Sequence, residues 1–208
     1  MNVTRAPLIV LAAVAALSVA AGARAQAWDV PAFLPPQPGE DIGIYLTTQG
    51  DFGIEGIWRQ QGNLNLGLRI GYVDFDNDGA IIVGAETWGG LVRAGAEFPL
   101  DVTWTAGVGA GFNGGTLFEI PVGLSIGRTF MLSTVPVQVY GHPRLAVAVF
   151  SRNDDTETDL EGLFDLGADI RLSDDWKLRL GVTFGGINDD EAGGIGLAYR
   201  FGRGVAVR

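Results

Sequence analysis

The chain contains no cysteine, one histidine (His142) and one lysine (Lys177). Without cysteine it can build no disulfide, no thiolate metal site and no cysteine nucleophile. Basic residues are scarce: 14 Lys and Arg stand against 24 Asp and Glu, a formal net charge of −10. That balance argues against a nucleic-acid partner, because phosphate binding needs a basic face. Charged residues of both signs make up only 18 % of the 208 positions while hydrophobic residues make up 47 %, so the chain is not a disordered one. Beyond residue 27 no uninterrupted apolar run reaches the length of a membrane-spanning helix, on the order of 18 residues.

The one long apolar run lies at the start. Arg5 precedes the Ala-rich stretch 6–21 (APLIVLAAVAALSVAA), and two small-residue sites follow, Ala23-Arg24-Ala25 and Ala25-Gln26-Ala27. A basic start, an apolar centre and small residues at the cut form a secretory signal. Cleavage is expected after Ala25 or Ala27, which makes 1–25 a signal peptide. Loss of Arg5 and Arg24 leaves 12 basic residues against 24 acidic ones. Residues 26–39, with four prolines in WDVPAFLPPQPG, read as an extended periplasmic leader.

From Asp41 onward polarity alternates with period two. Leu64, Leu66, Leu68, Ile70 and Tyr72 are interleaved with Asn65, Gly67, Arg69 and Gly71. The same pattern recurs from Val102 to Phe112 and from Trp176 to Phe184. Successive side chains of a strand point to opposite faces, so each run has one apolar face and one polar or glycine face. Turn signals such as QQGN (60–63), DNDG (76–79) and SDD (173–175) separate the runs. The spacing predicts ten strands, at 41–48, 52–59, 63–74, 81–98, 102–112, 116–130, 135–150, 160–172, 176–187 and 192–201. The first two are short and Gly89-Gly90 suits a bulge or a turn, so eight strands is the alternative. Hairpin-length connections make the fold an all-β, antiparallel up-and-down barrel over 40–201, with a tail at 202–208.

Alternation fits a soluble, lipocalin-like barrel with its apolar face inward, and equally a membrane barrel with that face outward. Charge placement favours the second. Glu55, Arg59, Arg69, Arg93, Glu97, Glu119, Asp165, Asp169, Arg171, Arg179 and Arg200 share the face opposite the apolar set, with His142 and Arg144. Mixed signs suit a closed interior cross-linked by ion pairs. Glu86 and Arg128 break the phase. Many of the 32 glycines also lie on the polar face, where they would leave a solvent surface bare but give long side chains room inside a narrow barrel. Aromatic residues fall near strand ends in phase with the apolar face. Trp58, Phe98, Trp104, Phe130 and Trp176 form one set, and Tyr72, Phe112, Phe118 and Phe184 the other. Two such girdles match the two interfaces of a bilayer.

The last predicted strand, GGIGLAYRF, puts Ile195, Leu197, Tyr199 and Phe201 on one face and ends on an aromatic. Here the chain resembles the outer-membrane β-barrel proteins of Gram-negative bacteria, whose last strand commonly ends in this way, although GRGVAVR follows Phe201 in this sequence. The resemblance implies an outer-membrane location, contact with outer-membrane lipids and lipopolysaccharide, and recognition of the final strand by the barrel-assembly machinery. A monomer is expected.

Chemistry-bearing motifs are few. His142 falls on the polar face with no activating partner evident from spacing, which leaves a hydrogen-bonded interior histidine and no catalytic residue. Asp74, Asp76 and Asp78 precede Gly79 as in the opening of a calcium loop, but Ala85 stands where the bidentate glutamate belongs. No cofactor is implied. The sequence points to a non-enzymatic barrel with a structural or envelope-maintenance role, against a soluble periplasmic binding barrel or a lipid-modifying enzyme or narrow pore.

Overall fold

The computed structural model describes residues 30–75, 78–113, 115–152, 155–185 and 191–201. The signal segment 1–25 with its cleavage sites, Asp76 and the tail 202–208 lie outside the described residues. Ten strands follow in chain order. The first five are β1 (Asp41–Thr47), β2 (Phe52–Gln60), β3 (Leu66–Phe75), β4 (Asp78–Val92) and β5 (Asp101–Phe112). The others are β6 (Thr116–Leu132), β7 (Val135–Arg152), β8 (Asp155–Arg171), β9 (Trp176–Gly185) and β10 (Ala192–Arg200). Each pairs antiparallel with its sequence neighbour, and β1 pairs with β10 from Asp41↔Arg200 to Thr47↔Gly194, closing the barrel. The near end is the one at which β1 begins and β10 finishes.

Burial decides which face is inside. Along β1 the pattern is strict: Ile42, Ile44 and Leu46 are exposed while Tyr45 and Thr47 are buried. Arg59 and Arg179 have no exposed surface, whereas Ile44 is 64 % and Ile70 62 % exposed. An exterior of Ile, Leu, Val and Phe around an interior of Arg, Glu, Asp and Thr is the inverse of a soluble barrel. The lipocalin-like alternative therefore fails.

Some boundaries differ from expectation. Strand β4 stops at Val92 after a register shift between Gly90 and Val92, so Arg93, Glu97 and Phe98 lie in the exposed 93–100 connection, not in a strand. Gly89 and Gly90 offer no side chains to hold a flat ladder, which suits a bulge there. At the other end, positions 151–152 and 155–159, expected to lie between two strands, are strand. The β7–β8 ladder continues from Val137↔Ile170 to Arg152↔Asp155. Thr156 and Thr158 are β-branched and keep the period of two there.

The outward aromatics sit at the strand ends. Trp58, Trp104, Phe130, Trp176, Tyr199 and Phe201 are near the barrel's near end, and Trp176 meets Tyr199 edge-on at 5.2 Å. Tyr72, Phe112, Phe118 and Phe184 are near the far end. Arg128 points outward with its guanidinium 5.7 Å from the centre of the Phe130 ring, a cation–π contact at the near-end rim.

Candidate functional site

The interior holds more than side chains. Residues 30–38, where an extended leader outside the barrel was expected, enter through the near end and run up the lumen. Val30, Ala32, Phe33 and Leu34 are all buried. The reason lies in the composition of the segment. Pro31, Pro35, Pro36 and Pro38 carry no N–H, so the segment is rich in acceptors and poor in donors. The barrel wall supplies what it lacks.

Six wall side chains donate to carbonyls along the segment. Arg144 reaches Val30 O at 3.3 Å, Arg59 reaches Ala32 O at 2.8 Å and Phe33 O at 2.9 Å, and Arg69 reaches Ala32 O at 3.1 Å. Ser125 donates to Leu34 O at 2.7 Å, Thr103 to Pro36 O at 2.6 Å and Gln61 to Pro38 O at 2.5 Å. In return Ala32 N–H donates to Asp165 Oδ2 at 3.2 Å. Buried backbone acceptors are satisfied in this way without a strand ladder. Phe33 stacks on Tyr45 with ring centres 4.4 Å apart and packs with Ile57, while Ala32 and Leu34 pack on Trp88. Phe33 holds a left-handed φ of 49°, uncommon for a residue with a side chain. The stack and the two bonds from Arg59 hold that turn in place.

Two glycines make the space. A Cβ on Gly181 would meet Pro31 Cβ at 2.7 Å, and one on Gly194 would strike the Phe33 ring. Gly181→Leu is therefore expected to unseat the segment while the strand persists. Limited proteolysis of the folded barrel should then release the chain before Asp41 from the variant and not from the parent.

Three ionic clusters line the lumen. In the first, Arg59 Nε donates to Glu86 Oε1 at 2.6 Å, and Arg69 stands 3.1 Å from Glu55. Glu86 is thus in phase with the interior, contrary to expectation. Two successive isoleucines, Ile81 outside and Ile82 inside, hide the alternation of β4 in the sequence. In the second, Asp165 accepts from Arg144 at 2.6 Å and from Thr183 at 2.8 Å, and lies 3.2 Å from His142 Nδ1. In the third, Arg179 bridges Asp41 at 2.6 Å and Asp169 at 2.9 Å and donates to Tyr45 Oη at 2.8 Å. Register explains the last two clusters: His142 stands directly opposite Asp165, and Asp169 opposite Arg179.

The other interior residues named from the sequence are placed as follows. Glu119 is buried toward the far end, Arg171 is exposed and Arg200 half-buried, both at the near mouth. Arg93 and Glu97, expected in the lumen, are exposed in the connection after β4. Of the calcium-loop residues, Asp74 is exposed at the end of β3, Asp78 begins β4 opposite Phe75, and Asp76 falls outside the described residues. Among the described residues no group of three or more His, Cys, Asp or Glu is placed to hold a metal ion.

His142 has partners that spacing did not reveal. Its Nε2 lies 2.8 Å from Thr105 Oγ1, so Thr105, His142 and Asp165 form a hydroxyl–imidazole–carboxylate line. A proton on Nδ1 faces the carboxylate and leaves Nε2 to accept from the hydroxyl. The cavity beside it holds about 10 Å³ and is walled by Ala32, Leu34 and Arg144 among others. That is room for about one water and no acyl group. Thr103, Thr105, Ser125 and Thr183 were not singled out in the sequence, although each has the interior phase of its strand.

A closed antiparallel barrel with an apolar exterior and an ion-paired interior is the architecture of a transmembrane β-barrel. Solved structures of this general form can be aligned with it. Over 78 % of this chain, the bacterial polysaccharide outer membrane secretin aligns at 12 % identity with a TM-score of 0.47, and the KdgM porin at 7 % with 0.41. The Acinetobacter baumannii outer membrane protein Omp33 aligns over 77 % at 8 % identity with a TM-score of 0.36. The aligned part covers 58 % of the secretin chain, 99 % of the porin and 97 % of Omp33. No protein-family model matches the chain, and no curated protein matches it in sequence.

Proposed function

We propose that this chain is an integral outer-membrane β-barrel protein, exported by its signal peptide, with a non-catalytic structural or envelope-maintenance role. In this reading the lumen is closed by ion-paired side chains together with the chain's own proline-rich N-terminal segment. The observation that carries the reading is the match between a wall of donors and a segment of acceptors, inside a barrel whose outer face is apolar. A lumen built to grip its own backbone is poorly suited to passing solutes. Lipids and lipopolysaccharide are the partners of the outer face. The final strand supports recognition by the assembly machinery, and a single copy closes its own sheet without an edge to pair.

Two measurements test this. Unheated protein in detergent should migrate faster on a gel than boiled protein, and cell fractionation should place it in the outer membrane. Recovery in the soluble periplasm would sink the proposal. The lipid-modifying alternative draws support from the Thr105–His142–Asp165 line. It predicts a change in lipid A composition between cells carrying the parent and cells carrying His142→Ala, whereas the non-catalytic reading expects identical profiles.

A further inference from the structure

The near mouth contains a second feature, distinct from the contacts that hold the segment. A cavity of about 310 Å³ opens there, bounded by Pro36–Gly39 on one side and by the barrel wall on the other. Arg93, Arg171, Lys177 and Arg200 all line it. Strand phase explains three of them. Arg171 continues the inward series of Asp165 and Asp169 on β8, Lys177 that of Arg179 on β9, and Arg200 that of Ala198 on β10.

Charge is balanced one layer deeper and unbalanced here. Asp41 and Asp169 are engaged by Arg179 and stand 3.7 and 3.8 Å from Lys177. Above them, among the described residues, none of the guanidiniums of Arg93, Arg171 and Arg200 has a carboxylate within ion-pair distance. Asp101 is turned to the amide of Ala94, which donates to its Oδ1 at 3.0 Å. Glu40, Glu97, Asp174 and Asp175 lie at the same end but do not line the cavity. A group of like charges facing one space is costly.

The geometry points to a binding site for a phosphate-bearing anion in this mouth. The guanidinium groups provide forked donors that match phosphate oxygens, and Lys177, shared between Asp41 and Asp169, adds a point charge at the floor. A chain with an acidic excess gathers four of its 14 basic residues around one cavity. An anion of charge −2 or more offsets their mutual repulsion. The phosphate belongs either to a small soluble ester or to a lipid headgroup at the rim, and both present the same oxygens.

Full-length protein folded in neutral detergent, titrated calorimetrically with inorganic pyrophosphate, tests the site. Saturable binding that weakens with added salt is expected. Each of Arg93→Gln, Arg171→Gln and Arg200→Gln should lower affinity about tenfold, the scale of one charge-assisted hydrogen bond. Heat-modifiable gel migration checks that each variant is folded. Repeating the titration in nanodiscs of phosphatidylcholine, with and without phosphatidylglycerol, separates the sources: competition by the anionic lipid assigns a headgroup, and its absence a soluble phosphate. No saturable uptake by the parent, or a folded triple variant that titrates like the parent, overturns the assignment.

Discussion

A chain lacking residues 26–39 should conduct ions steadily across a planar bilayer in which the full-length chain stays silent. Residues 30–38 occupy the axis of the barrel, and the groups left behind by their removal are charged. Arg59, Arg69 and Arg144 would lose backbone acceptors, and Asp165 would lose the Ala32 amide. Polar groups facing an opened space are hydrated, so water and ions follow. A synthetic peptide spanning residues 28–39, added to the conducting variant, should restore the block, because the wall donors remain in place. If the shortened barrel folds by the gel-migration criterion yet passes no current, side chains alone close the lumen and the segment is no plug.

The second large effect concerns Arg179. It is buried between Asp41 and Asp169 and also holds the hydroxyl of Tyr45, the ring on which Phe33 stacks. Arg179→Met keeps an unbranched apolar stem but removes the guanidinium that both buried carboxylates share. Breaking one partner out of such a cluster costs about 3–5 kcal/mol, since the buried carboxylates lose their close guanidinium and keep only the longer contacts of 3.7 and 3.8 Å to Lys177. The urea midpoint of the folded form should fall accordingly. Adding Asp169→Leu to the variant should recover part of the loss, because one stranded charge is removed. A midpoint unchanged by Arg179→Met would mean that Lys177 and water at the mouth suffice to hold the two carboxylates.

The strand plan was legible because a barrel wall imposes a period of two on every residue it contains. Leu68, Ile70 and Tyr72 outside, with Arg69 inside, could be assigned by alternation alone. The plan failed where the period was masked. Ile81 and Ile82 are both apolar though they face opposite ways, so Glu86 was misphased. Arg93 and Glu97 continue an apparent alternation past the Gly89-Gly90 pair, where the ladder in fact shifts and ends.

The contents of the lumen were less legible. Pairings such as His142 with Asp165 and Thr105 depend on strand register and barrel diameter, and neither is written in local spacing. The proline-rich segment showed its conformation but not its place. Its shortage of N–H groups was a usable sign, because an acceptor-rich stretch that becomes buried requires a donor-rich wall. Arg, Thr and Ser at interior phase supply one.

The segment enters the barrel by the same opening from which β1 departs, and its earlier end points toward the far rim. The seam between β1 and β10 lies in the wall beside it and does not encircle it as a knot would. Withdrawal through the near mouth therefore breaks side-chain bonds and two aromatic contacts but no strand pairing. The cylinder keeps its full ladder whether the segment is seated or drawn out, as a sheath keeps its form without the blade. Occupancy of the lumen and integrity of the wall are separate equilibria, and each can shift without the other.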